Sequence, residues 1–205
     1  MNRIVWFLAL VFLISGCATT QRISQEDKSR VSAVVIDSNI VKAPVMYFMG
    51  PGSSVGMLFG AIGGAATAVA NMSPAETLSK FAEDNGIYPE KIAKEEMEKA
   101  IAVSGKFKLV DSVSSGSTKL VISVPHYGLS IPNGFSSKLV PVFLIKCEMI
   151  DQSGKTIWLA SENVSILSSP AQPLTLEQIK ADPKLLENTW RAAAKDAAKT
   201  IMSEY

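Results

Sequence analysis

Two cysteines, a single histidine and a few adjacent carboxylates are the side chains in this 205-residue chain with the clearest capacity for chemistry. His126 stands in Val124-Pro125-His126-Tyr127-Gly128. An imidazole becomes a base or a zinc ligand only beside fixed partners, and no Cys-x-x-Cys or second histidine is there to supply them. His126 therefore reads as a strand-end or loop residue. The pairs Glu95-Glu96 and Glu83-Asp84 have the oxygens for acid–base work or for a hard cation, yet on helix faces and ends such pairs are usually solvated. Gly60-Ala61-Ile62-Gly63-Gly64 lacks the lysine and hydroxyl that would follow a phosphate-binding loop. No enzyme activity, metal or cofactor is expected.

Cys17 has a different environment. Met1-Asn2-Arg3 carries one positive side chain, and Ile4 to Ile14 then run uncharged and mostly apolar. This is the order of a cleavable export signal, and the apolar run is about half the roughly 20 residues that a bilayer-spanning helix needs. The next residues, Ile14-Ser15-Gly16-Cys17, resemble the lipobox of bacterial lipoproteins: a branched aliphatic, two small residues, then the cysteine. The resemblance implies that residues 1–16 are a signal peptide and that Cys17 becomes the first mature residue, carrying palmitate-type acyl chains. Several chains anchor durably where one binds only marginally. An ordinary signal peptide cut before an unmodified cysteine is the alternative. Ala18 follows, not the aspartate that often retains such proteins in the inner membrane, so the expected place is the outer membrane, facing the periplasm.

Composition sets the class of partner. Lys and Arg number 20 against 19 Asp and Glu, so the chain lacks the basic field of a nucleic-acid binder. With 47% hydrophobic residues it has the means to build one core. With Cys17 acylated, Cys147 has no partner for a disulfide within the chain and is expected to be buried and inert.

The elements follow from periodicity. Residues 17–30 are polar and read as a tether; residues 31–205 read as one α+β domain. Val31 to Asp37 is rich in β-branched residues and predicts a strand. Residues 43–75 contain no charged side chain, and within them Gly56, Gly60, Gly64 and Ala68 recur every fourth position. On a helix these line one smooth face of the kind that permits close helix approach, and Val55 to Met72 would rise about 27 Å. The segment is thus a candidate for membrane entry, for contact between copies, or for packing as an ordinary soluble loop and helix. Helices are predicted from Ala75 to Ala82, from Pro89 to Val103 and from Pro183 to the end. Strands are predicted at Phe107 to Asp111, Thr118 to His126, Lys138 to Ile150 and Thr156 to Leu167, with a hairpin turn at Asp151-Gln152-Ser153-Gly154. The fold class is α+β: a mixed or antiparallel sheet of about five strands, helices on one face, and a Gly-rich uncharged insertion after the first strand.

The order of Val-Ser-Ala-Val-Val-Ile-Asp, a helix ending in Ser-Gly-Lys-Phe, a strand, and antiparallel strands with Gly-Lys-Thr-Ile-Trp at a hairpin resembles periplasmic lipoproteins of the curli-secretion and penicillin-binding-protein-activator type. The similarity runs from Val31 to Leu167, and the uncharged insertion departs from it. It implies a lipid-anchored accessory protein that binds other envelope proteins in assembly, secretion or transport. A self-assembling, membrane-associated pore or secretion subunit using the Gly-rich segment is the alternative.

Overall fold

The computed structural model describes residues 20–59, 72–112, 117–134, 136–165, 168 and 171–205. In chain order the elements are α1 (Gln25–Arg30), β1 (Ala33–Ile36), β2 (Val41–Lys42), β3 (Tyr47–Met49), α2 (Gly52–Phe59), α3 (Pro74–Asp84), α4 (Pro89–Ser104), β4 (Lys108–Leu109), β5 (Thr118–Ser130), β6 (Val140–Ile150), β7 (Thr156–Val164), α5 (Leu176–Ala181) and α6 (Lys184–Glu204). The class is α+β with a mixed sheet, as the periodicity predicts.

The sheet runs β4-β1-β5-β6-β7, with β2 and β3 also paired to β5, so it has seven strands where about five are expected. Of the two additions, β2 lies just before the uncharged stretch and β3 within its first part. β1, β2 and β3 pair in succession with Thr118–Leu120, Ser123–Val124 and Gly128–Ser130, all parallel to β5. They follow one another along the same side of β5, leaving the ladder twice and returning, and β1 also pairs with β4 on its other side. β5, β6 and β7 are antiparallel, and the β6–β7 turn is made as predicted: the Asp151 carboxylate accepts from the backbone of Ser153 and Lys155, and Gly154 takes φ +85°. A left-handed conformation there suits glycine.

Helix boundaries have local causes. Ser73 and Glu76 form a reciprocal capping box at the start of α3, with Pro74 in the first turn. Pro89 opens α4, and Gly105 in the left-handed region closes it. Thr175 and Gln178 repeat the capping box on α5, a short helix absent from the predicted elements. α1 lies inside the stretch read as a tether. The Gln21 backbone pairs with Leu159 on the free edge of β7, and Ile23 and Val31 are buried, so the described part of this stretch packs onto the domain.

The helices α4 and α6 cover one face of the sheet. Leu120, Ile122, Ile145, Cys147, Met149 and Trp158 point into this layer and are fully buried. α6 answers with Ala193, Ala194, Ala197 and Ala198, whose small side chains let its axis lie close to the strands. Its largest inward side chain, Trp190, is fully buried, with Leu186, Ile201 and Met202 also inside. The indole N–H donates to the carbonyl of Gly128 at 3.0 Å, and the ring meets Tyr127 edge-on at 5.4 Å. On the other side of the same residue, a Cβ at position 128 would stand 1.8 Å from the carbonyl oxygen of Tyr47. Gly128 is thus the only residue type that lets β3 close onto β5 while α6 holds β5 from the opposite side. We expect Gly128→Ala to lower stability by at least about 2–3 kcal/mol, the upper range for overpacking. The check is chemical denaturation; a loss under about 0.5 kcal/mol, the size of an ordinary surface change, would contradict this closure.

Candidate interaction site

Of the residues singled out by the sequence, Cys17, Gly60, Gly64 and Ala68 lie outside the described residues. Gly56 lies on α2. Val55 and Phe59 of that helix are buried, and the Phe59 ring packs edge-on against Phe81 of α3 at 4.8 Å. Gly56 is on the outward side: a Cβ there would meet nothing within 4 Å. Its missing side chain is not needed for any contact inside the domain.

Beside it lies the main apolar exposure of the molecule. Among the described residues, six large hydrophobic side chains are exposed, and five fall between positions 41 and 57: Val41, Val45, Tyr47, Met49 and Met57. The cause is topological. β2 and β3 pair with β5 on one side only, and register sets Val41 opposite Ser123, Tyr47 opposite Gly128 and Met49 opposite Ser130. Their register partners on β5 in this row, Ser123, Gly128 and Ser130, are small and reach little over them. Met57, 79% exposed, is a further exposed apolar side chain, on α2. An apolar edge strand offers unpaired backbone groups together with greasy side chains, the combination that proteins usually blunt unless something pairs with it.

His126 is inside β5, at the register irregularity between Ser123 and His126, and not at a strand end. Its ring meets the Tyr47 ring edge-on at 4.9 Å, and its Nε2 is buried without a hydrogen-bond partner. The chain also spells Gly52-Ser53-Ser54-Val55-Gly56, the spacing of a serine-hydrolase elbow. That elbow needs its serine on a strained strand-to-helix corner. Ser54 instead lies within α2, and no non-glycine residue among the described ones has a positive φ. Cys147 is fully buried on the helix-covered face, and burial pushes its thiol up to about 12. It has neither the access nor the thiolate character of a nucleophile.

The acidic pair on α4 departs from the solvated reading. Glu95 is exposed, but Glu96 is 4% exposed and points at α6. Its carboxylate takes Lys99 at 2.7 Å and Arg191 at 2.9 Å, and Arg191 also reaches Glu95 and Glu187 at 2.7 and 2.8 Å. Burial works against the Glu96 charge, and the hydrogen bonds from Lys99 and Arg191 outweigh it, so the carboxyl is held below its usual 4.5. This cluster latches α4 to α6 over the sheet.

No protein-family model matches the chain, and no curated protein matches it. The likeness to curli-secretion and penicillin-binding-protein-activator lipoproteins is therefore one of element order. Among solved structures, the chain is similar to a minor lipoprotein from Acinetobacter baumannii, at 13% identity over 55% of this chain and 80% of that one, with a TM-score of 0.36. It is also similar to a dodecamer of a PelC variant from Paraburkholderia phytofirmans, at 14% identity over 85% of this chain and 86% of that one, with a TM-score of 0.35. Neither neighbour defines this chain's activity or partner.

The latch has a pH signature. A carboxyl whose folded pKa is depressed adds stability that is present above its unfolded value and is lost as pH falls through the folded one. We expect Glu96→Gln to cost about 1–3 kcal/mol at pH 7, as for a hydrogen bond to a charged group, and to flatten the loss of stability below about pH 4.5. Urea unfolding at pH 7 and pH 3.5 checks it; parallel losses in the two proteins would contradict the assignment.

Proposed function

We propose that this chain is a lipid-anchored envelope protein that binds other envelope proteins in assembly, secretion or transport, and that it makes and breaks no bond of a substrate. The observation that carries the reading is the exposed apolar row Val41, Val45, Tyr47, Met49 and Met57 on the sheet edge and α2. Five of the six exposed large hydrophobic side chains among the described residues fall in this span from Val41 to Met57, and apolar exposure concentrated in this way suits a contact surface.

The lipobox at Cys17 supports the anchoring half. Only residues 18–20 separate Cys17 from Gln21, whose backbone is pinned to Leu159 of β7. Four residue steps span at most about 14 Å, so a lipid on Cys17 would hold the β7 edge close to the membrane surface. The apolar row is on the far side of β5, with β6 and β7 between it and that anchor. A protein held this way offers its contact row away from its own lipid, toward the periplasm in an outer-membrane placement. Among the described residues no helix is long and apolar enough to cross a membrane.

Self-assembly is the second reading, and the open side of Gly56 favours it, since small residues permit close approach between helices of separate copies. One experiment separates the two. Crosslinked envelopes carrying the full-length chain are compared with those carrying Tyr47→Glu/Met49→Glu, and captured proteins are identified by mass. A defined envelope protein captured by the first and lost in the second is expected; a ladder of the chain's own copies supports the second reading, and identical captures from both overturn the role of the row. Cys17→Ala is expected to move the protein from the membrane fraction to the soluble periplasm, and its retention in membranes would contradict the lipid anchor.

A further inference from the structure

The sixth exposed hydrophobic side chain lies elsewhere. Val103, 89% exposed, sits near the end of α4 on the outer side of the helix layer, away from the β2–β3 edge. It borders a groove of about 710 Å³ between α4 and α6. Ala100 and Ala192 keep this groove deep, because small side chains face each other across the seam, and Met202 adds to its apolar floor.

The walls carry a concentrated charge. Five cationic side chains, Lys99, Lys106, Arg191, Lys195 and Lys199, line the groove against one carboxylate, Glu96, in a chain whose net charge is only +1. Glu96 is already engaged by Lys99 and Arg191, and Arg191 is further occupied by Glu95 and Glu187. Lys195 and Lys199 have no ion-pair partner among the described residues and stand one helical turn apart on α6, where like charges repel. Lys106 caps the Met202 carbonyl, and burial together with nearby Lys28 disfavours its charge. The chain therefore collects positive charge around an apolar trough and, among the described residues, leaves Lys195, Lys199 and Lys106 without an ion-pair partner.

We propose that the α4–α6 groove receives an acidic amphipathic helix from a partner protein. The trough is open to solvent along one side, so a bare acyl chain lying in it would stay wet. A helix brings its own polar face: its apolar stripe covers Ala100, Val103, Ala192 and Met202, and its acidic flank meets Lys195, Lys199 and Lys106. A third helix seated in the groove of two neighbours is ordinary ridge-and-groove packing, and the lysines on the rim set orientation and partner choice. This site is independent of the apolar row on the sheet edge, since the two use separate residues.

The full-length chain, held in neutral phosphatidylcholine nanodiscs, is titrated with a designed amphipathic peptide of leucine and glutamate, with its lysine-for-glutamate counterpart, and with soluble dihexanoyl phosphatidylglycerol. Binding is read by fluorescence anisotropy of labelled peptide and by displacement for the lipid. The acidic peptide is expected to bind, to weaken as salt rises, and to lose about tenfold or more in affinity in Lys195→Glu/Lys199→Glu and in Val103→Asp. Both variants change exposed residues, and an unchanged melting temperature confirms their fold. Tyr47→Glu/Met49→Glu is expected to bind the peptide normally, which separates this site from the contact row. No binding of the acidic peptide, equal binding of the basic one, affinity unaltered in both groove variants, or displacement of the peptide by the lipid at comparable concentration would each overturn the proposal.

Discussion

Three elements of this domain, β3, β5 and α6, meet at one backbone position. Gly128 accepts the Trp190 indole from the helix side and leaves no room for a side chain against Tyr47 on the sheet-edge side. Much of the rest depends on that double approach. Trp190 ties α6 to β5 while the alanine face of α6 lies on β6 and β7, and α4 packs beside it through Arg191 and Glu96. Because Gly128 lets β3 close onto β5, the uncharged stretch is folded into the sheet as far as Met49, and Tyr47 and Met49 face outward. The exposed apolar row is therefore a consequence of how the core closes.

The long elements were legible because their burial is periodic. α4, α6 and the strands β5 to β7 each carry enough turns or alternations for one face to stand out, and the Asp-Gln-Ser-Gly turn declared its hairpin. β2 and β3 have two and three residues, too few to show alternation; β2 just precedes the uncharged stretch and β3 sits inside it, where the lack of charge suggested a helix or a loop. Their strand state comes from β5, nearly 80 residues downstream, which offers a free edge. α5 carried a readable signal in Thr175 and Gln178, a capping box three residues apart. Gly128 carried one as well: a glycine inside a strand pattern marks a bulge or a close backbone approach. Glu96 carried none. Its burial is decided by Arg191 on α6, and nothing local distinguishes it from the exposed Glu95.

The candidate site was half legible. The uncharged segment drew attention for its glycine spacing, whereas the structure gives its first part to a sheet edge and exposes Gly56 on the outside of α2. The apolar row was not visible, since exposure of Val41, Val45, Tyr47 and Met49 depends on which edge of β5 they occupy. The α4–α6 groove was not visible either, because its lysines come from two helices whose separate charge patterns read as ordinary solvated faces.

The central claim is that the molecule presents the β2–β3 edge to a protein partner while its β7 edge stays near the membrane. The most direct measurement is photo-crosslinking in intact cells, with a photoreactive residue placed at Val45 in one strain and at Ser161 in another. The account predicts a discrete adduct with an envelope protein from position 45 and lipid adducts alone from position 161. Protein adducts of the same mass from both positions, or lipid adducts from position 45, would contradict it.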